Sequence, residues 1–272
     1  MFNWLPSTCP CHPVEKAWIE SRFEWLCREF PFNVLNGRPM VLPVRDFFPV
    51  RYDPSPESVE ALVERVCEYM EVSPDVVSVR IHHDPQKLWL VNARGNFFPH
   101  AAGTYESDLG RHLITFDTDQ LAEPFHLVAT IAHELSHARL LGEQRLRQSS
   151  HDNELLTDLT AVALGFGVFL ANSPRVWTSQ FSHWPPPNDV VLKPEYMTPP
   201  MYGYAMALVA WCQGEKKPKW ARFLGPRVKT DYKQAMKFLF KTGDSTFRSA
   251  PLRIEHATRE NGSLRRAPKD AK

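Results

Sequence analysis

A chain of 272 residues, 43% hydrophobic and 23% charged, is long enough to bury a substantial core and too apolar to be disordered throughout. Its formal net charge of +1 selects no polyanionic or acidic partner, and its five cysteines lack framework spacing, which fits a reducing compartment. The opening MFNWLPSTCPCHPVEK has no basic region followed by an apolar stretch, and the uncharged run 159–174 is short for a bilayer, so the expectation is a soluble, cytoplasmic protein with no membrane partner.

Cys9, Cys11 and His12 sit close together, but without a matching second half they read as packing or surface groups, not a metal site. Residues 13–30 carry Trp18, Ile19, Phe23, Leu26, Cys27 and Phe30 at helical spacings, and Pro31 ends the run. Residues 39–50 form an extended, proline-broken segment. Ser55 then caps a helix opened by Pro56, with Val59, Leu62, Val63, Val66 and Met70 as its core stripe. Strands are predicted over 76–81 and 88–92. His82, His83, Asp84 and Pro85 between them read as a turn. AAGTYES and RHLITFDT, joined through Asp108, Leu109 and Gly110, form a predicted β-hairpin.

That hairpin leads into IAHELSHARLL, residues 131–141. His133 and His137 are four apart, so on a helix both imidazoles lie on one face within reach of one ion. Zinc takes nitrogen ligands, and a catalytic zinc site has three protein ligands and a fourth position left to water. Glu134 is placed to take a proton from that water. Two histidines on an amphipathic helix can be coincidence, but the context supports a site: Pro124 opens the helix, Leu127, Val128, Ile131, Leu135, Ala138 and Leu141 are its apolar face, and Gly142 can stop it.

A third ligand must come from elsewhere. The metzincin continuation fails, because Leu140 and Glu143 stand where it needs glycine and histidine. Downstream, HDNELLTDLTAVALGFGVFLAN places Glu154 and Asp158 four apart on an apolar-patterned helix capped by Asp152 or Asn153. Glu154 is the expected carboxylate ligand, with Asp158 or His151 as substitutes; Asp158 would otherwise hydrogen-bond the far nitrogen of a ligand histidine. Gly165 and Gly167 interrupt this helix, at a cost that close packing on the first ligand helix would offset.

HELSH followed by ELLTD resembles the HExxH plus ExxxD signature of gluzincin metallopeptidases. Together with AAGTYE and LVATIAHELSHARLLGE it is similar to a group of uncharacterised bacterial predicted zinc peptidases. The resemblance implies His133, His137 and Glu154 as ligands of one zinc ion, Glu134 as general base and Asp158 as an outer partner. It also implies that the strand beside the zinc helix accepts an extended substrate, with Tyr105 lining the cleft. The interval from His137 to Glu154 is shorter than in thermolysin-like enzymes.

From 173 to 200 the chain is proline-rich, a long loop of the kind that forms lids or binding segments. His183, Tyr196, Tyr202 and Tyr204, in or just after it, are candidates to contact substrate or steady an oxyanion. Residues 201–212 read as a buried helix. The basic segment 215–241 reads as a solvated helix face, since no nucleic-acid module accompanies it, and 245–272 as a flexible tail.

These readings predict an α+β, zincin-like fold: a small, mainly antiparallel sheet, an active-site helix, a second ligand helix and flanking helices. Residues 1–75 would pack on a catalytic core of 76–175, followed by the loop 176–200 and C-terminal helices over 201–244. The expected activity is zinc-dependent hydrolysis of a peptide or protein substrate; the alternative is a zinc-stabilised, non-catalytic regulatory or protein-binding module.

Overall fold

The computed structural model describes residues 7–30, 38–82, 89–91, 97–99, 103–108, 110–146, 152–173 and 196–247. Proline in the first turn and a polar residue before it set most helix starts. Helix α1 spans Pro13–Glu29: the imidazole Nδ1 of His12 accepts from the amide of Val14, and Glu15 accepts from the amide of His12, a reciprocal cap. His12 is therefore a capping residue, as the packing reading of the Cys9–His12 cluster requires. All five cysteines are free thiols. Ser55 caps α2, Pro56–Met70, through the amide of Ser58 at 3.2 Å.

The sheet departs from expectation. Strands β1 (Val77–His82), β4 (Gly103–Asp108) and β5 (Arg111–Asp117) are ordered β1-β5-β4, while β2 (Trp89–Val91) pairs antiparallel with β3 (Phe97–Pro99). The hairpin β4–β5 is antiparallel as predicted, turning through Gly110 at φ +79°. β1, however, runs parallel to β5, from Val77 opposite His112 to His82 opposite Asp117, so the three-stranded sheet is mixed. Local turn chemistry fixed the hairpin; the direction of β1 is a long-range choice that no short motif encodes. β3 was not anticipated, and His83, Asp84 and Pro85 lie outside the described residues.

After a short 3-10 turn, Thr118–Ala122, the motif helix α3 runs from Pro124 to His137 and widens into a π-turn over Ala138–Gly142. Gly142 does not simply stop the helix. A Cβ there would lie 2.5 Å from His112 Cε1, so glycine lets this turn close onto β5. α4 spans Asn153–Ala161 and kinks over Val162–Phe166, where Gly165 leaves helical geometry, into α5, Gly167–Asn172. Gly165 adopts φ +95°, and its would-be Cβ meets the carbonyl of Pro39 at 2.7 Å; Gly167 lies against Met206. The glycines thus admit the 39–41 segment and the next helix, not the first ligand helix as expected. Asn153–Asn172 is long and apolar enough to cross a bilayer, yet 83% of its most apolar window is buried inside the protein.

α6 spans Pro199–Cys212, capped by Thr198, and α7 spans Pro226–Thr242. They meet backbone to side chain at Gly203, whose Cβ would sit 2.7 Å from Asp231 Cβ and from the amide of Tyr232. On α7, Val228, Tyr232, Ala235, Phe238 and Leu239 face inward, while Lys233, Lys237 and Lys241 stay exposed, so this basic stretch is an amphipathic helix. A single hydrophobic cluster extends from Cys11 to Phe247 through every one of these helices and through β5. Within it Glu20, 1% exposed, accepts from Tyr204 at 2.5 Å and from the Thr246 hydroxyl at 2.7 Å, and pairs with Lys16 at 3.2 Å. Burial alone would raise this carboxyl, but the bonds from Tyr204, Ser245 and Thr246 hold it below its ordinary value of 4.5.

Gly203→Ala is expected to destabilise the fold by about 1–3 kcal/mol through overpacking, read as a lowered denaturant midpoint. Glu20 contributes stability that is fully present above the unfolded-state value near 4.5 and lost as pH falls through its lower folded value. Glu20→Ala should therefore lower the melting temperature at pH 7 and flatten its dependence on pH on the acid side; an unchanged acid limb would count against this role.

Candidate metal centre

Helices α3 and α4 pack against each other, and each brings an i,i+4 pair to the contact. His133 and His137 from α3 and Glu154 from the first turn of α4 converge, with one ligand atom from each lying within 4.8 Å of the others. His133 Nε2 is 3.1 Å and His137 Nε2 3.5 Å from the same oxygen, Glu154 Oε2. The imidazole rings meet edge to face, with centroids 4.8 Å apart. Both histidines are buried, while the Glu154 side chain keeps 30% of its exposure, so solvent reaches the cluster from the carboxylate side.

The other nitrogens are also held. Asp158, fully buried, places Oδ1 2.9 Å from His133 Nδ1, and its Oδ2 accepts from the amide of Met197 at 3.1 Å. Thr157 Oγ1 lies 3.3 Å from His137 Nδ1 and donates its own proton to the carbonyl of Asn153 at 2.8 Å. With its proton committed, that hydroxyl can only accept from His137. Each histidine therefore carries its hydrogen on Nδ1, as assigned by the hydrogen-bond network, and turns the Nε2 lone pair toward Glu154.

Two lone pairs and a carboxylate oxygen at 3.1 and 3.5 Å repel unless a cation or protons lie among them. Two neutral imidazoles plus one carboxylate is a donor set suited to zinc, and the hydrogen-bonded Nδ1 atoms are the support such a site needs. His133, His137 and Glu154 can hold a metal ion. With protons on those facing nitrogens in place of a cation, hydrogen bonds and positive charge from His133 and His137 outweigh burial and hold the Glu154 carboxyl well below its ordinary value.

Glu134 is buried on α3 beside His133. Tyr105 on edge strand β4 stacks on His137 with centroids 5.7 Å apart, and its hydroxyl shares a 2.8 Å hydrogen bond with His112 Nδ1. Desolvation keeps His112 below its ordinary pKa against the opposing charge of Glu143. Tyr196 lies beside His133, centroids 6.1 Å apart. The remaining tyrosines go elsewhere: Tyr202 lines a cavity of about 270 Å³ with Asp158, Tyr196 and Met197 but none of the three candidate ligands, and Tyr204 is committed to Glu20. His151 and His183 lie outside the described residues.

Three participants were not legible in the sequence: Thr157, His112 and the Met197 amide. Thr157 follows Glu154 by three on the same helix face, the one pattern that could have drawn notice. Comparison of the chain with protein families, with curated proteins and with solved structures finds no match.

Removing either support is expected to loosen the donor set. Asp158→Asn and Thr157→Val should each weaken zinc binding by about 10–100-fold in competition with a chromogenic chelator, with Asp158→Asn the larger loss because its acceptor is charged.

Proposed function

We propose that this chain is a zinc-dependent metallopeptidase, with His133, His137 and Glu154 as ligands of one ion and Glu134 as general base. The observation that carries the reading is the convergence of two Nε2 atoms and a carboxylate, each imidazole held from behind by Asp158 or Thr157. Zinc bound there supplies a Lewis acid for an amide carbonyl and acidifies water toward a pKa of about 7.

The chain's own residues do the rest. Glu134 takes a proton from the attacking water and returns it to the departing amine, so the peptide bond breaks with protons in balance. Asp158 and Thr157 keep the imidazoles in one tautomer and orientation throughout. β4, at the edge of the sheet among the described residues, packs beside α3, which suits main-chain pairing with an extended peptide. Tyr105 and Tyr196, against the two ligand histidines, are the aromatic groups best placed to contact it. Among the described residues three protein ligands converge; a site of three leaves a coordination position for substrate chemistry, which favours an enzyme over a closed structural zinc site.

The test is zinc content by elemental analysis of the parent, Glu134→Gln and His137→Ala, beside cleavage of a degenerate peptide library. Near-stoichiometric zinc is expected in the first two and little in the third, with cleavage slowed by about 10²–10⁴-fold in Glu134→Gln. Little zinc in all three after resupply to folded protein would sink the metal reading. Zinc in parent and Glu134→Gln with no cleavage by either would favour the non-catalytic, zinc-stabilised module.

A further inference from the structure

Helix α4 begins in an unusual way. Asp152 occupies its cap position, and its carbonyl accepts from the amide of Leu156 at 2.9 Å, yet its carboxylate makes no bond to the helix's own amides. An aspartate there would ordinarily turn its side chain onto the second or third amide, with the backbone extended. Here the backbone sits at φ −119°, ψ 23°, and Oδ2 faces α1 instead. It accepts from Trp18 Nε1 at 2.9 Å, from Arg22 Nε at 2.8 Å and from Arg22 Nη2 at 2.5 Å.

Trp18 and Arg22 are one helical turn apart, so α1 offers a matched pair of donors to one carboxylate oxygen. Asp152 is 6% exposed and Arg22 partly covered, which makes this a part-buried, charge-assisted contact and not a loose surface pair. Glu154 stands two residues along the chain, in the first turn. Whatever fixes Asp152 fixes the entry of α4 and hence where the Glu154 carboxylate meets the two histidines of α3.

We propose that Trp18 and Arg22 are positioning residues for the metal centre, acting through Asp152 to hold the Glu154 end of α4 against α3. The proposal rests on the metal reading above. It assigns α1 a part in ligand geometry: the donor set, all from α3 and α4, is oriented by a segment more than a hundred residues away in sequence. His133 and His137 are held by Asp158 and Thr157 inside the helix pair, whereas the clamp on the Glu154 side comes from outside it.

The test uses the full chain and reads zinc affinity by chelator competition, the visible spectrum of the cobalt-substituted protein, and thermal midpoints with and without metal. The variants are Arg22→Gln, Arg22→Lys, Trp18→Phe and His137→Ala. Arg22→Gln should weaken zinc binding by about 10-fold or more and alter the cobalt bands, Trp18→Phe should do so more mildly, and Arg22→Lys should restore part of the affinity. The metal-free midpoint should fall far less than the metal-bound one. Parent-like zinc affinity and cobalt spectrum in both Arg22→Gln and Trp18→Phe, with zinc lost in His137→Ala, would overturn the clamp and leave the metal centre standing. Equal loss of midpoint with and without metal would make the contact merely structural and also overturn it. Absence of zinc binding in the parent would instead remove the reading on which the clamp depends.

Discussion

The buried carboxylate of Asp158 is the constraint around which the helices are arranged. A fully desolvated aspartate is tolerable only if its oxygens are occupied by donors, and here one takes the imidazole of His133 and the other the amide of Met197. Those two bonds tie α3, α4 and the lead into α6 to a single point. Truncating one side would strand a charge in the core, so the three segments are locked together by electrostatics as well as by apolar packing.

Around that point the regular helices give way where they must. Both helices of the candidate site change course, α3 through a π-turn at Ala138–Gly142 and α4 through a kink at Val162–Phe166, each with a glycine admitting a close neighbour: β5 at Gly142, the Pro39 carbonyl at Gly165. π-turns like the first are frequent at functional sites. Here the first of them brings Tyr105 and His112 of the sheet against the end of the motif helix, so that Tyr105 stacks on His137. Sheet and helix thereby share one site wall.

The electrostatic logic of the proposed centre is asymmetric. The histidine side is dry and held by neutral or charged acceptors on the same helix pair; the glutamate side is partly solvated and anchored from α1. That division suits a site that must keep its imidazoles fixed while leaving an approach for substrate. The lysines of α7, by contrast, lie along the outer face of an amphipathic helix whose inner face is core.

What could be read from the chain alone was local. The i,i+4 spacing of His133 with His137 and of Glu154 with Asp158, the cap at Ser55, and the hairpin through Gly110 all follow from one turn of backbone geometry, and each recurs in the structure. Tertiary structure alone decided the rest. Whether Asp152 caps its own helix or binds Trp18 and Arg22, whether β1 runs with or against β5, which neighbours Gly165 and Gly167 admit, and that Thr157 supports His137 are choices between partners distant in sequence. Such contacts depend on how helices and strands pack after they form, and a residue's local pattern is the same whichever partner it finds.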